Sequence, residues 1–333
     1  MSRDTTVLDH YLQPLRAALD APGVTELVVN RPGEFAVEGD GGWRWTEVPK
    51  LTETWLRPLA IAAAAATRQD VTPERPVCST ALPSGERCQI VLPPAAEHIS
   101  LTFRRPSKLS LSLEDLHVQG FFEEARGSAR RARAPEPELL RFFQAGDWRA
   151  FLARAVESRC NILVSGATGS GKTTLAKALV QRIPAHERIV TIEDTPELAV
   201  PHRNVVRLLY AKDGQGLADI GPKTLLESAL RMRPDRILLQ ELRDASAFFY
   251  LRTANTGHPG SITTLHADTA DLAFEQLILM VKESEAGRAL SRDDIRALLH
   301  RLVDVVIQVR RSGGRFRVTD LWYEQLRRRA LAG

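Results

Sequence analysis

Apolar residues at Leu8, Leu12, Leu15 and Leu19 recur every three or four positions and predict a helix with one buried face. Short apolar runs at Glu26–Val29 and Phe35–Val37 then predict two strands, joined by the turn Asn30-Arg-Pro-Gly33. A second tight turn at Gly39–Gly42 leads into a strand over Trp43–Val48. The alanine-rich segment Trp55–Thr67 has the propensity of a helix, and strands are expected again at Gln89–Leu92 and Ile99–Phe103. Residues 1–105 therefore read as a small α+β domain.

From Pro106 to Pro137 this patterning fades. The segment contains Arg126-Gly-Ser-Ala-Arg-Arg-Ala-Arg133 followed by Ala-Pro-Glu-Pro137, the composition of an exposed linker between domains. Beyond residue 138 the pattern changes. Short apolar runs at Cys160–Val164, Ile189–Ile192, Val205–Leu209, Ile237–Leu239 and Ser261–Leu265 alternate with helical stretches such as Thr173–Ile183 and Leu225–Met232. That alternation predicts an α/β domain over 138–333, a largely parallel sheet with helices on both faces. Val303–Val309 and Arg315–Leu321 flank Ser312-Gly-Gly314 and read as a hairpin at the sheet edge.

Composition narrows the class without changing the picture. The chain has 333 residues, enough for two domains, with 44% hydrophobic and 26% charged residues, as in a soluble globular protein. Its formal charge of +4 is too small to indicate a nucleic-acid binder, although it permits contact with an anionic membrane surface. Three scattered cysteines, Cys78, Cys88 and Cys160, form no disulfide framework and suit a reducing compartment. No secretory leader is evident, and the apolar stretch Leu59–Ala66 is far short of a bilayer span, so a cytoplasmic location is expected.

The strongest chemical signal is Gly166-Ala167-Thr168-Gly169-Ser170-Gly171-Lys172-Thr173, with Thr174 following. It comes directly after a predicted strand and opens a predicted helix, the context that gives the G-x-x-x-x-G-K-[ST] pattern its meaning. The glycines let backbone N–H groups converge on phosphates at a helix N-terminus, whose partial positive charge adds to the attraction. Lys172 is expected to reach the β- and γ-phosphates of ATP, and the Thr173 hydroxyl to ligate Mg²⁺.

Three further segments carry candidate chemistry. Arg236–Glu241 is an apolar strand closed by an acid, and Glu241 is placed to polarise the attacking water or to hold Mg²⁺ through water. Glu193, Asp194 and Glu197 close another strand with three carboxylates; they are candidates for metal or water handling, or for a helix cap and solvated charge. Gly257–Gly260 and Thr264–Asp268 bracket a strand, with His266 as a candidate catalytic or sensing residue.

These four elements in this order resemble the ATPases of the type II/type IV secretion superfamily, with their Walker A, Asp box, Walker B and His box. Glu193-Asp-Thr-Pro-Glu-Leu198, Leu230-Arg-Met-Arg-Pro-Asp235 and Gly257–Ala267 resemble the type IV secretion branch, as do Thr25–Gly33 and Ile99–Pro106. The resemblance implies a C-terminal RecA-like domain and a six-membered ring at the cytoplasmic face of the inner membrane. Channel components would be its partners, and nucleotide would lie between the two domains. On that basis Arg104 and Arg105 become candidates to touch phosphate, and Arg203 and Arg207 to supply charge across a subunit interface. One departure is Gln240, which stands before the Walker B glutamate where the family usually has glycine. A pilus retraction ATPase and a nucleotide-gated scaffold with little hydrolysis are the alternatives. The cysteine pattern excludes the tetra-cysteine zinc loop of assembly ATPases, and no aromatic-rich basic groove supports a DNA motor.

Overall fold

The computed structural model describes residues 5–39, 41–106, 112–123, 136–211, 216–244, 246–254 and 257–324. The basic run Arg126–Arg133 and the arginine-rich tail at 327–329 lie outside these residues.

The N-terminal domain begins with helix α1 (Thr6–Asp20), whose buried residues are Leu8, Leu12, Leu15 and Leu19. Strands β1 (Glu26–Val29), β2 (Glu34–Gly39) and β3 (Gly42–Glu47) follow, then helix α2 (Glu53–Ala65) and strands β4 (Val77–Ala81), β5 (Arg87–Val91) and β6 (Ser100–Arg104). The six strands form one antiparallel sheet in the order β3-β2-β1-β6-β5-β4. Both helices bury their apolar faces against it, with Leu12, Leu15, Leu27, Leu56, Leu59 and Phe103 in a common core. Strand β4, Val-Cys-Ser-Thr-Ala, is the one the apolar pattern does not reveal, because its buried positions are Cys78 and Thr80.

A short helix, α3 (Leu113–Val118), stands between the domains with a capping box at Ser112 and Asp115. The C-terminal domain then runs through α4 (Pro137–Gln144), α5 (Trp148–Glu157), β7 (Ile162–Ser165), α6 (Lys172–Val180), β8 (Ile189–Glu193) and β9 (Val205–Leu209). It continues with α7 (Pro222–Ala229), β10 (Arg236–Leu239), α8 (Ser246–Ala254), β11 (Ile262–Leu265), α9 (Ala270–Glu283), α10 (Glu285–Arg288) and α11 (Arg292–Leu302). The hairpin β12 (Val305–Ser312) and β13 (Arg315–Tyr323) closes it.

Two ladders, β10-β8-β9 and β11-β7-β12-β13, are joined by a parallel bridge between Glu241 and Thr264. All pairs are parallel except the terminal hairpin. The strands read as nearly continuous apolar runs because both faces are covered. Leu163, Val190, Ile237 and Leu265 point to the layer of α7, α8, α9 and α11, while Ile162, Val164, Leu238 and Ile307 point to that of α5 and α6.

The two domains meet along β9 and α7. Leu209 N–H donates to Ala95 O at 2.9 Å and Glu97 N–H to Arg207 O at 3.1 Å. Fully buried Arg188 is the bolt of this junction: its guanidinium donates to Asn30 Oδ1 at 2.7 Å, Asn204 Oδ1 at 2.5 Å and Met232 O at 2.8 Å. In the sheet order, β9 lies four positions from the P-loop strand β7. The N-terminal domain therefore joins the edge of the sheet remote from the P-loop strand.

Candidate functional site

The loop between β7 and α6 is shaped by two glycines in particular. A Cβ on Gly166 would stand 2.3 Å from Val309 O, so only a bare backbone fits against β12. Gly171 caps α6 with φ 97°, a left-handed conformation that costs a side-chain-bearing residue strain. No side chain caps this helix. The N–H groups of its first turn thus remain available to an anion.

Lys172 folds back over the loop. Its Nζ donates to Gly166 O at 2.8 Å and Ala167 O at 3.0 Å, and lies 3.2 Å from His266 Nδ1. An ammonium group only donates, so His266 Nδ1 is the acceptor and the imidazole proton sits on Nε2. That nitrogen is 2.7 Å from Glu241 Oε1. Burial pushes the Lys172 ammonium below its ordinary range, Glu241 draws it back up and Arg243 opposes that recovery. Thr173 is half-buried beside Lys172, and Thr174 is exposed.

The ends of β10 and β11 bring these groups together. Leu242 N–H donates to Thr264 O at 2.8 Å and Thr264 N–H to Gln240 O at 3.2 Å, which fixes Glu241 beside the start of the His266 loop. Gln240 carries a buried side-chain oxygen with no hydrogen-bond partner. Arg243, which sequence reasoning does not single out, bridges Glu241 and Asp194, with Asp194 Oδ2 at 3.0 Å. Its signal in the sequence is only its position two residues after the strand-ending acid. A chain of contacts therefore runs Lys172–His266–Glu241–Arg243–Asp194.

The three acids at the end of β8 separate in the structure. Glu193 is fully buried. Its Oε2 accepts the N–H groups of Glu197 and Leu198, each at 2.8 Å, and its Oε1 accepts the Thr191 hydroxyl at 2.9 Å. It thus shapes its own loop, the capping alternative for this acid, and its carboxylate makes no hydrogen bond to the Glu241 cluster. Glu197 is exposed, and Asp194 alone faces the Glu241 cluster through Arg243.

The candidate arginines are also placed elsewhere. Arg105 donates to Leu19 O and Ala21 O at the end of α1. Arg104 pairs with Glu26 at 3.5 Å and lines a small polar cleft with Arg87 and Arg231. That cleft lies at the α7–β10 connection, at the opposite end of the strands from the P-loop. Arg203 pairs with Glu34 at 2.6 Å and lies over the Trp45 ring; Arg207 pairs with Glu97 at 3.0 Å. All four serve the N-terminal domain or the domain junction within this chain.

Among the described residues no cluster of three or more His, Cys, Asp or Glu side chains is arranged to hold a metal ion. The oxygen donors at hand, the Thr173 hydroxyl and the Glu241 carboxylate, suit magnesium, which keeps much of its water and takes phosphate oxygens for the rest.

The model of the family described as "Type II/IV secretion system protein" matches residues 42–313. The type IV secretion system protein VirB11 of Bartonella henselae is 49% identical over 335 residues, 97% of this chain and 94% of that protein. VirB11 of Brucella suis is 46% identical over 334 residues, covering 98% and 92%, and that of Agrobacterium fabrum 41% over 318, covering 93% and 92%. The crystal structure of the VirB11 ATPase from the Brucella suis type IV secretion system in complex with sulphate superposes with a TM-score of 0.92. It is 45% identical, over 98% of this chain and 97% of that one.

Proposed function

This chain belongs to the type II/IV secretion system protein family, and on that premise we propose that it works as a magnesium-dependent ring motor of a type IV secretion channel. It is a P-loop ATPase of a type IV secretion system. The observation that supports the site assignment best is the placement of Lys172, His266 and Glu241 in one row of close polar contacts at the open N-terminus of α6.

In this reading the N–H groups of the loop and first helical turn, Gly169 to Thr174, hold the β-phosphate, and Lys172 moves off Gly166 O and Ala167 O to meet the β- and γ-phosphates. Thr173 and, through water, Glu241 would hold magnesium, which would supply charge neutralisation at the phosphates. Once Lys172 leaves His266 Nδ1, that nitrogen is free to accept a hydrogen bond from a water beside the γ-phosphate. Glu241 then orients the attacking water and takes its proton. Arg243 and His266 hold the Glu241 carboxylate in place from two sides.

Arg203 and Arg207 have a different role in this proposal. By tying Glu34 and Glu97 to the β9 edge, they carry movement of the ATPase domain into the N-terminal domain. As the resemblance to secretion ATPases implies, we propose a six-membered ring on the inner face of the membrane, touching channel components. No helix among the described residues is long and apolar enough to cross a membrane. Steady-state ATP hydrolysis by the full chain, with and without Mg²⁺, tests the proposal. Magnesium-dependent turnover is expected; binding without turnover, even with membranes present, would favour a nucleotide-gated scaffold.

A further inference from the structure

We propose that Phe316, on the terminal hairpin, is the residue on which the purine base of the bound nucleotide stacks. This rests on the reading of Gly166–Thr173 as the triphosphate site. The Phe316 ring lies directly on the P-loop: a Cβ added to Gly171 would stand 2.7 Å from its Cγ and 2.9 Å from its Cδ1. Yet the side chain is 55% exposed, and among the described residues its ring stacks on no other aromatic ring. A large apolar side chain left open beside a phosphate loop has an unfilled face next to a ligand site.

Strand order gives the direction. β11 flanks the P-loop strand β7 on one side, carrying His266 just beyond its end and bridged to Glu241. β12 and β13 flank it on the other. The γ-phosphate end of the ligand, where Glu241 and His266 converge, is therefore on one flank, and the nucleoside leaves the loop on the other. From β11 to β13 is three inter-strand spacings, roughly 14 Å, a span suited to a triphosphate and ribose.

The register adds a polar partner. Arg311 pairs with Phe316, and Val309 with Val318, so these four side chains share one face of the hairpin. Val309 is buried in the core with Ala176 and Leu179 of α6, while Val318 is 44% exposed. The face thus passes from core to an open apolar strip ending at Phe316, with Arg311 as its cross-strand neighbour. A flat aromatic base fits such a strip, and stacking accepts adenine and guanine alike while favouring purines over the smaller pyrimidines.

The test measures binding of ATP, CTP and inorganic triphosphate to the full chain and to Phe316→Ala, Phe316→Trp and Lys172→Ala. Phe316→Ala should weaken ATP about ten- to a hundredfold, bring the ATP-to-CTP ratio close to one, and change inorganic triphosphate less than about twofold. Phe316→Trp should restore ATP. Equal loss of ATP and inorganic triphosphate in Phe316→Ala would mean that the ring only shapes Gly171, and unchanged ATP affinity would also overturn the proposal. Lys172→Ala should lose both ligands; if it keeps both, the triphosphate reading itself fails, independently of Phe316.

Discussion

His266 Nε2 lies 2.7 Å from Glu241 Oε1, and this contact sets the imidazole against the carboxylate that follows β10. Because Lys172 occupies Nδ1, the histidine links the phosphate-binding lysine to the acid without either touching the other directly. We propose that His266 couples the two ends of this row.

His266→Ala should lower kcat about a hundredfold while moving nucleotide affinity less than about threefold. Steady-state kinetics together with direct nucleotide binding separate the two. A loss confined to affinity would instead make His266 a phosphate-binding residue only.

Lys172→Ala should abolish nucleotide binding, since it removes the ammonium that folds over the loop. Glu241→Gln should keep ATP bound while hydrolysis falls at least about a hundredfold. Single-turnover measurements with purified variants check both. Wild-type hydrolysis in Glu241→Gln would require another base.

Glu193 and Glu197 are expected to behave differently despite standing four residues apart. Glu193→Ala strips the acceptor from two backbone N–H groups and a hydroxyl inside the protein, a loss of about 1–3 kcal/mol for each donor left unpaired. Its melting temperature should drop by several degrees. Glu197→Ala, on the surface, should melt with the wild type, and calorimetry of the pair decides the matter.

Glu26 supplies a pH dependence. It is 4% exposed, and burial pushes its carboxyl up to about 7 from 4.5, with Arg104 pulling it back only in part. The folded protein holds this proton more tightly than the unfolded chain does. The resulting stabilisation is complete below about 4.5 and is lost as pH rises through about 7. Wild-type thermal stability should therefore carry a decline from pH 5 to pH 8 that Glu26→Gln lacks. Parallel pH–melting curves for the two proteins would refute this.

Much of this molecule is legible before folding. The runs at β7, β8, β10 and β11 announce buried parallel strands because both of their faces are apolar, and Gly166–Thr173 announces its loop because few residue types tolerate that backbone. Leu8, Leu12, Leu15 and Leu19 mark the buried face of α1 by spacing alone. Strand β4 escapes such reading, since cysteine and threonine fill its core positions. Arg243 escapes as well, because an arginine two residues after an acid is ordinary on any surface.

The sequence by itself determined the local geometry: which segments are strands or helices, and which loop presents its N–H groups to an anion. Period, glycine placement and side-chain chemistry act within a few residues, so they can be read along the chain. Only the tertiary structure decided which charges are spent. Glu193 turned inward to cap its own loop, Arg203 and Arg207 turned to the N-terminal domain, and Arg243 reached across from β10 to Asp194. A charged side chain goes where desolvation is best offset by partners, and those partners come from strands far apart in sequence.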